Sequence, residues 1–431
     1  MQAETRRHAS QTIGVLYGFR ALMVLFVCNY HFWQQGWLGQ YATLFGISLD
    51  FDFWTRSSYL FVDGMILLSG FLLYLPHARQ AAYGAPVVSA KRFYWNRLTR
   101  IAPSYLVSVI VMLFAFALPS GAYRDAASRN FDVLTHLTFT FTFFQQTYLF
   151  TPINGVLWTV AIEVQFYLIF PALVKAMRRK PALTLCAMGA AGILFRLLVA
   201  GANVELAMWV NQLPALLDVY ALGMLGAILY VRLDRWLRGL PARDPARRVT
   251  AVASAALFAA GCWLLAGILR LQSDGGLAGQ TQLHLWQWLL RLPLALTMLL
   301  LMLSAAFMPR ALQKLLDNRL MRFLATISFN LYLWHQVLCV QMAHRLFPAT
   351  LQSDPQLQVI FTLLCFAVSL LVAMAATFGV EQPAARRMER LRIQYHQNKE
   401  KKNHEGSSGT EALPPTDPLL VRAHEGSAGT D

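Results

Sequence analysis

Residues 13–33 read IGVLYGFRALMVLFVCNYHFW, an unbroken apolar run that carries one arginine and one histidine. A transmembrane helix needs about 20 mostly apolar residues, so this run has the length to cross a bilayer. Ionisable groups at membrane depth are costly and call for a reason. Arg20 and His31 lie eleven positions apart, which is about three helical turns and roughly 16 Å of rise. Both therefore face one side of the helix. Two interfacial anchors would account for them as well as a functional stripe would, with Arg20 snorkelling one way and His31 the other.

Similar runs recur near 58–76, 101–119, 156–176, 182–200, 213–231, 249–269, 285–306, 323–344 and 356–379. An eleventh stretch, 133–150, is long enough but rich in Thr, Gln and His. The chain has 431 residues, 56% apolar and only 14% charged, where a soluble domain carries about 25% charged residues. That excludes a disordered protein, a disulfide scaffold and an ordinary soluble enzyme. The formal charge of +15 could suit nucleic acid, or it could be the Lys/Arg bias of cytoplasmic membrane loops.

Position decides between them. Basic clusters follow the second run (Arg79, Lys91, Arg92, Arg97, Arg100), the fourth (Lys175, Arg178, Arg179, Lys180) and the sixth (Arg232 to Arg248). They follow the eighth (Arg310, Lys314, Arg319, Arg322) and the tenth (Arg386, Arg387, Arg390, Arg392) as well. The intervening loops are poor in basic residues or balanced by acids. The alternation is strict only if 133–150 does not cross. The expected fold is an all-α polytopic bundle of ten transmembrane helices, integral to the plasma (inner) membrane, with both termini cytoplasmic and no nucleic-acid partner. The stretch 133–150 should lie at the outer interface or re-enter, its backbone covered by protein. No cleavable signal peptide is expected, because the first run is long and lacks a small-residue cleavage site.

From residue 393 the chain is polar and holds a short imperfect repeat, HEGSSGT at 404–410 and HEGSAGT at 424–430. Too little apolar surface is available there to offset ordering entropy, so 393–431 reads as a disordered cytoplasmic tail. The five cysteines lie inside apolar runs without metal spacing, and they read as small hydrophobes rather than ligands. No metal site is expected.

Other intramembrane polar groups stand out. Glu163 sits in LWTVAIEVQFYLIFP with Thr159 and Tyr167 one turn to either side. His335 and Gln336 lie in ISFNLYLWHQ, and Ser328 shares the His335 face. Polar glue between helices explains these as readily as a site does. Asp63, Asp218, Arg196 and Arg291 read as interhelical pairs or an outer vestibule. Arg97 and Arg100, three residues apart at the start of the third run, could fork one anionic group or merely add positive-inside charge.

FRALMVLFVCNYHF, VDGMILLSGFL, RLTRIAPSY, LWTVAIEVQFYLIFP, ISFNLYLWHQ and VEQP occur in that order. This order resembles the membrane acyltransferase-3 family, which includes bacterial O-acetyltransferases of surface polysaccharides, and it covers roughly residues 13–384. The resemblance implies ten helices that move an acyl group from cytoplasmic acyl-CoA, acetyl-CoA foremost, to a hydroxyl of a carbohydrate or glycolipid acceptor. It makes acyl-CoA a co-substrate rather than a resident cofactor. The family's Arg-x10-His pair falls on Arg20 and His31, its Arg-x-x-Arg element on Arg97 and Arg100, and its Ser-Gly-Phe element on Ser69, Gly70 and Phe71. Residues 1–392 then form the acyltransferase-3-like transmembrane domain. Two positions depart from the pattern. Tyr17 stands where the family often has Asp, and Met65 and Ile66 stand where it often has two Phe, which suggests a reshaped pocket. No fused hydrolase-like domain is expected.

The expected chemistry uses His31 as general base on the acceptor hydroxyl. Arg20 would serve the oxyanion or the donor, Glu163 would balance charge, and Arg97 and Arg100 would hold CoA phosphates. Ser69, Tyr167, Ser328 and His335 are expected to line the pocket. A covalent route through Ser69 is less attractive, because close helix approach explains Ser and Gly there equally well. The rival reading is a proton-coupled transporter or acyl-group translocator, which should show an internal repeat that the sequence lacks.

Overall fold

The computed structural model describes residues 13–44, 47–202 and 206–408. Among them, ten helical segments are long and apolar enough to cross a membrane. These are span one (Val15–Gly36), two (Asp52–Tyr83), three (Ala90–Ala117), four (Gly155–Arg179) and five (Pro181–Gly201). Span six (Leu213–Gly239), seven (Pro245–Leu277), eight (Gln280–Phe307), nine (Arg310–Leu346) and ten (Pro355–Tyr395) complete the set. Each coincides with one apolar run of the sequence.

The starts of several spans follow local side-chain chemistry. Ser89, Asp244, Asn318 and Asp354 each accept a hydrogen bond from a backbone N–H of the first turn, which satisfies donors a helix cannot satisfy itself. Proline follows Asp244 and Asp354 directly, where its missing N–H costs nothing. Span one ends where Trp37 turns left-handed (φ 59°) and its N–H donates to the Trp33 carbonyl.

Span two lies at the centre, with 78% of its apolar window buried, against 22% for span five, which faces outward. Span two packs against span six so closely that a Cβ on Gly70 would stand 2.7 Å from the Tyr220 carbonyl oxygen. One on Gly223 would stand 2.2 Å from the Leu67 carbonyl oxygen. Small residues permit this backbone approach, the usual means of packing helices in lipid. Span one lies against span nine, and seven against eight.

Two ion pairs cross the interior. Arg196 holds Asp218 by two bonds of 2.9 and 2.6 Å, and Arg291 donates to Asp63 at 2.9 Å. All four side chains are almost fully buried. The interhelical pairing expected for these residues is therefore present.

The basic loops gather at one end. Arg178 of span four bonds Gln80 of span two, Arg92 of span three pairs with Glu389 near the end of span ten, and Gly14 abuts Asp317 in the first part of span nine. Such clustering requires an even number of crossings between those loops, so 133–150 does not span. That region holds only a 12-residue helix (Ala126–Leu137), a 3₁₀ turn (Phe141–Phe143) and a four-residue helix (Gln145–Tyr148). Its carbonyls are satisfied from neighbouring elements: Tyr105 donates to His136 O, Gln165 to Phe139 O, and Gln212 to Thr142 O. Asp132 anchors it by accepting from Tyr123 and Thr151 and pairing with His136. Burial first, and the Asp132 carboxylate second, push the Tyr123 phenol above its ordinary value, so it remains a proton donor.

At the C-terminal end the structure differs from expectation. Span ten passes through a π turn at Thr377–Glu381 into the helix Gln382–Ser408, so 393–408 is helical. Polar composition removes a core-facing stripe, but Lys, Glu, Gln and Arg still propagate a helix already nucleated by span ten. The rest of the expected tail, 409–431, lies outside the described residues.

Candidate active site

Arg20 and His31 both face span nine, as their spacing requires. Arg20 Nε donates to Ser328 Oγ at 2.9 Å, and that hydroxyl donates in turn to Ala325 O. His31 meets Gln336 two turns further along span nine, with its Nδ1 3.2 Å from Gln336 Nε2.

The two residues open into different cavities. An inner one of about 200 Å³ is lined by Arg20, Ser69, Arg97, Arg100, Glu163 and Ser328 among others. An outer one of about 360 Å³ is lined by His31, Gln34, Asn211, His284, Gln287 and Gln336 among others. Val62 of span two and Tyr332 of span nine line both. The cavities are therefore back to back, with these two side chains between them.

In the inner cavity, Glu163 Oε1 accepts from Ser69 Oγ at 2.9 Å and from the Tyr167 hydroxyl. Span four thus binds span two through a carboxylate, because Glu163 and Tyr167 are one turn apart. Glu163 and Glu381 are near enough to attract the Arg20 guanidinium, and Arg100 near enough to repel it. Arg97 stacks over the Phe93 and Tyr167 rings at 5.5 and 5.4 Å. Its buried Nε finds no acceptor. Among the described residues, no carboxylate pairs with Arg97 or Arg100 at salt-bridge distance. Two guanidiniums at one mouth, neither held by a carboxylate at salt-bridge distance, are suited to a multiply charged anion. Arg97 also lines a wide apolar groove of about 940 Å³ between spans three and four, whose lip carries Lys91, Arg92 and Arg392. Met65 and Ile66, the departures noted in span two, line the inner cavity.

In the outer cavity, Gln34 Nε2 donates to the Tyr30 hydroxyl at 2.9 Å, which turns Gln34 Oε1 towards His31 Nδ1 at 2.8 Å. With Gln34 Oε1 as partner Nδ1 carries the proton and Nε2 keeps the lone pair that a base needs, whereas the Gln336 amide nitrogen 3.2 Å from the same Nδ1 favours the opposite tautomer.

Several expected site residues fall elsewhere. His335 lies 5.1 Å from His31, ring centroid to centroid, yet it is fully buried and lines neither cavity. Its Nδ1 donates to the Tyr332 carbonyl of its own helix at 2.8 Å, while its buried Nε2 has no partner. It is a backing residue and not a pocket residue. Tyr167 lines the groove and reaches the inner cavity only through Glu163. Gln34, Asn211, His284, Tyr332 and Glu381 were not singled out by sequence. Gln34, one turn past His31, and Glu381, within the VEQP motif, had some signal. The others are brought in by packing.

A family model described as an acyltransferase domain, of the acyltransferase-3 type, matches residues 15–378. The chain is 29% identical over 175 residues to a peptidoglycan O-acetyltransferase, OatA, of Listeria monocytogenes. That match covers 39% of this chain and 25% of the relative's length. No solved structure matches the chain. With ten spans, the ordered motifs and a family match over most of its length, the chain belongs to the acyltransferase-3 family and is a multi-pass membrane protein.

Proposed function

We propose that this protein transfers an acyl group, acetyl in the simplest case, from cytoplasmic acyl-CoA to a hydroxyl of a carbohydrate acceptor. One observation carries the reading: two cavities meet at Val62 and Tyr332, one lined by Arg20, Arg97 and Arg100 and the other by His31. The positive-inside bias puts the Arg97–Arg100 end in the cytoplasm, where CoA is found. Arg97 and Arg100 would hold its phosphates, with Lys91, Arg92 and Arg392 extending the basic surface. The thioester would reach towards the Val62–Tyr332 boundary.

The acceptor hydroxyl enters from the His31 side. His31 Nε2 takes its proton as the oxygen attacks the thioester carbonyl. The tetrahedral oxyanion is met by hydroxyl or guanidinium donors of the inner cavity, of which Tyr332, Thr159 and Arg20 are available. Collapse breaks the C–S bond, and the imidazolium returns its proton to the CoA thiolate. Glu163, tied to Ser69 and Tyr167, would help to position the inner-cavity arginines.

The likeness to a peptidoglycan O-acetyltransferase supports a carbohydrate acceptor. The test is radiolabelled acetyl-CoA offered to purified protein in vesicles with a panel of glycans. Label appearing on a glycan, lost in His31→Ala, is the expected result. Intact acetyl-CoA or free acetyl groups crossing the vesicle without an acylated product would replace the proposal with transport.

A further inference from the structure

Beyond the His31 cavity the structure holds a second pocket, of about 430 Å³, within the usual range for small-molecule sites of about 300–1,000 Å³. It shares Tyr30, Gln34, Gln280 and Leu283 with the His31 cavity, so the two are neighbours. Tyr30, Trp33 and Trp37 follow one face of span one out to its end. Tyr30 and Trp33 stack with centroids 6.1 Å apart and planes 30° apart, and Trp33 and Trp37 with 5.8 Å and 31°. Trp37 remains 53% exposed.

The opposite wall is amide-rich. Gln272 is fully buried and gives its Nε2 to the Tyr59 hydroxyl at 2.6 Å and to Leu283 O at 2.9 Å. Its buried Oε1 has no donor. Gln35, Ser273 and Gln280 add further donors and acceptors to the lining. Arg56 is paired with Asp52 and lies 5.1 Å above the Trp33 ring, so its charge is already committed.

An aromatic belt at a membrane interface has the same residue types, but lipid has no use for a pocket that also carries Gln35, Ser273 and Gln280. A pyranose ring does. Its C–H face lies flat on an indole, and its edge hydroxyls donate to and accept from amides. With Arg56 neutralised, the ring is an uncharged one. We propose that Trp33 and Trp37 form a stacking platform for a neutral sugar residue of the acceptor. That residue is the one next to the sugar whose hydroxyl reaches His31. The inference rests on the reading of the acceptor as a carbohydrate, and it identifies that acceptor as an oligosaccharide at least two residues long.

The test measures binding separately from transfer. The full chain in lipid nanodiscs is titrated calorimetrically with neutral oligosaccharides of hexoses and N-acetylhexosamines, two to six units long, and acetyl transfer to the same glycans is followed in parallel. At least one glycan should bind, more tightly than its monosaccharide. Trp37→Ala and Trp33→Ala should each weaken it roughly tenfold, the loss of one buried aromatic contact. Trp37→Phe should restore most of the affinity, which separates stacking from general damage, and His31→Ala should bind like wild type. Glycan transfer that is indifferent to both Trp→Ala changes would overturn the platform and leave the acceptor reading intact. Trp-dependent binding without transfer would keep the platform and remove the acceptor reading. Binding of no glycan in the panel, or equal binding by all variants, would end the inference.

Discussion

Arg20 and His31 stand on one helix, face the same neighbouring span, and open into separate cavities divided by Val62 and Tyr332. On the proposed reading the helix carries one residue towards the donor and the other towards the acceptor, which makes the two roles separable by mutation.

His31→Ala should leave a folded protein whose transfer rate falls by about 10²–10⁴-fold, the usual worth of a positioned base. Thermal unfolding in detergent checks the fold and a labelled-acetyl assay checks the rate. In the wild type, kcat/KM should rise with pH as the imidazole loses its proton and then level off; in the variant the rise should vanish. A variant with near-normal turnover would remove His31 from the chemistry.

On the proposed reading Arg97 and Arg100 act on the donor alone. Neutralising both should raise the KM for acetyl-CoA by about tenfold or more, since hydrogen bonds to charged groups contribute about 1.5–3 kcal/mol each. The KM for the acceptor should not move. With a CoA analogue lacking the 3′-phosphate, the difference between wild type and variant should shrink.

Ser69 donates to Glu163 at 2.9 Å, and two roles are distinguishable. As a support for Glu163 it can be lost at modest cost, so Ser69→Ala should lower kcat by less than about tenfold. As a covalent nucleophile it would carry the acyl group, and rapid quenching followed by peptide mass spectrometry would find the ester. Its absence is the expected outcome.

Tyr332 is part of the wall between donor and acceptor. Tyr332→Ala should join the cavities and admit water, so acetyl-CoA hydrolysis without acceptor should rise while transfer falls. Tyr332→Phe, which keeps the ring, should keep hydrolysis low. Equal hydrolysis by wild type and Tyr332→Ala would show that something else separates the chambers.

Arg291 and Asp63 are buried together. Arg291→Leu strands a carboxylate inside the bundle and should cost about 3–5 kcal/mol. Replacing both, as Asp63→Leu with Arg291→Leu, should recover part of that loss in a chemical-denaturation series. A double variant no better than the single would mean that the bonds from Arg291 to Val210 O and Asn211 matter more than the ion pair.

The spans were legible because each is a run of apolar residues that must hydrogen-bond its own backbone in lipid. The rejection of 133–150 was legible from loop charge, and the carbonyl bonds made by Tyr105, Gln165 and Gln212 supply the structural reason. The Arg20–His31 stripe was legible from helical period alone. His335 misled because a polar residue mid-span looks the same in sequence whether it faces a cavity or bonds the carbonyls of its own helix. Gln34 and Tyr332 went unnoticed because amides and tyrosines are common at membrane depth and carry no charge to mark them.

By itself the sequence determined how many helices cross, which loops share a side, and that Arg20 and His31 face one way, because each follows from a one-dimensional period or a charge count. Only the tertiary structure decided that Glu163 answers to Ser69, that Asp63 belongs to Arg291, and that Val62 and Tyr332 stand between two cavities. Those facts join residues from different helices, and which helices meet depends on how side chains of many shapes pack in three dimensions. No spacing along one chain encodes that packing.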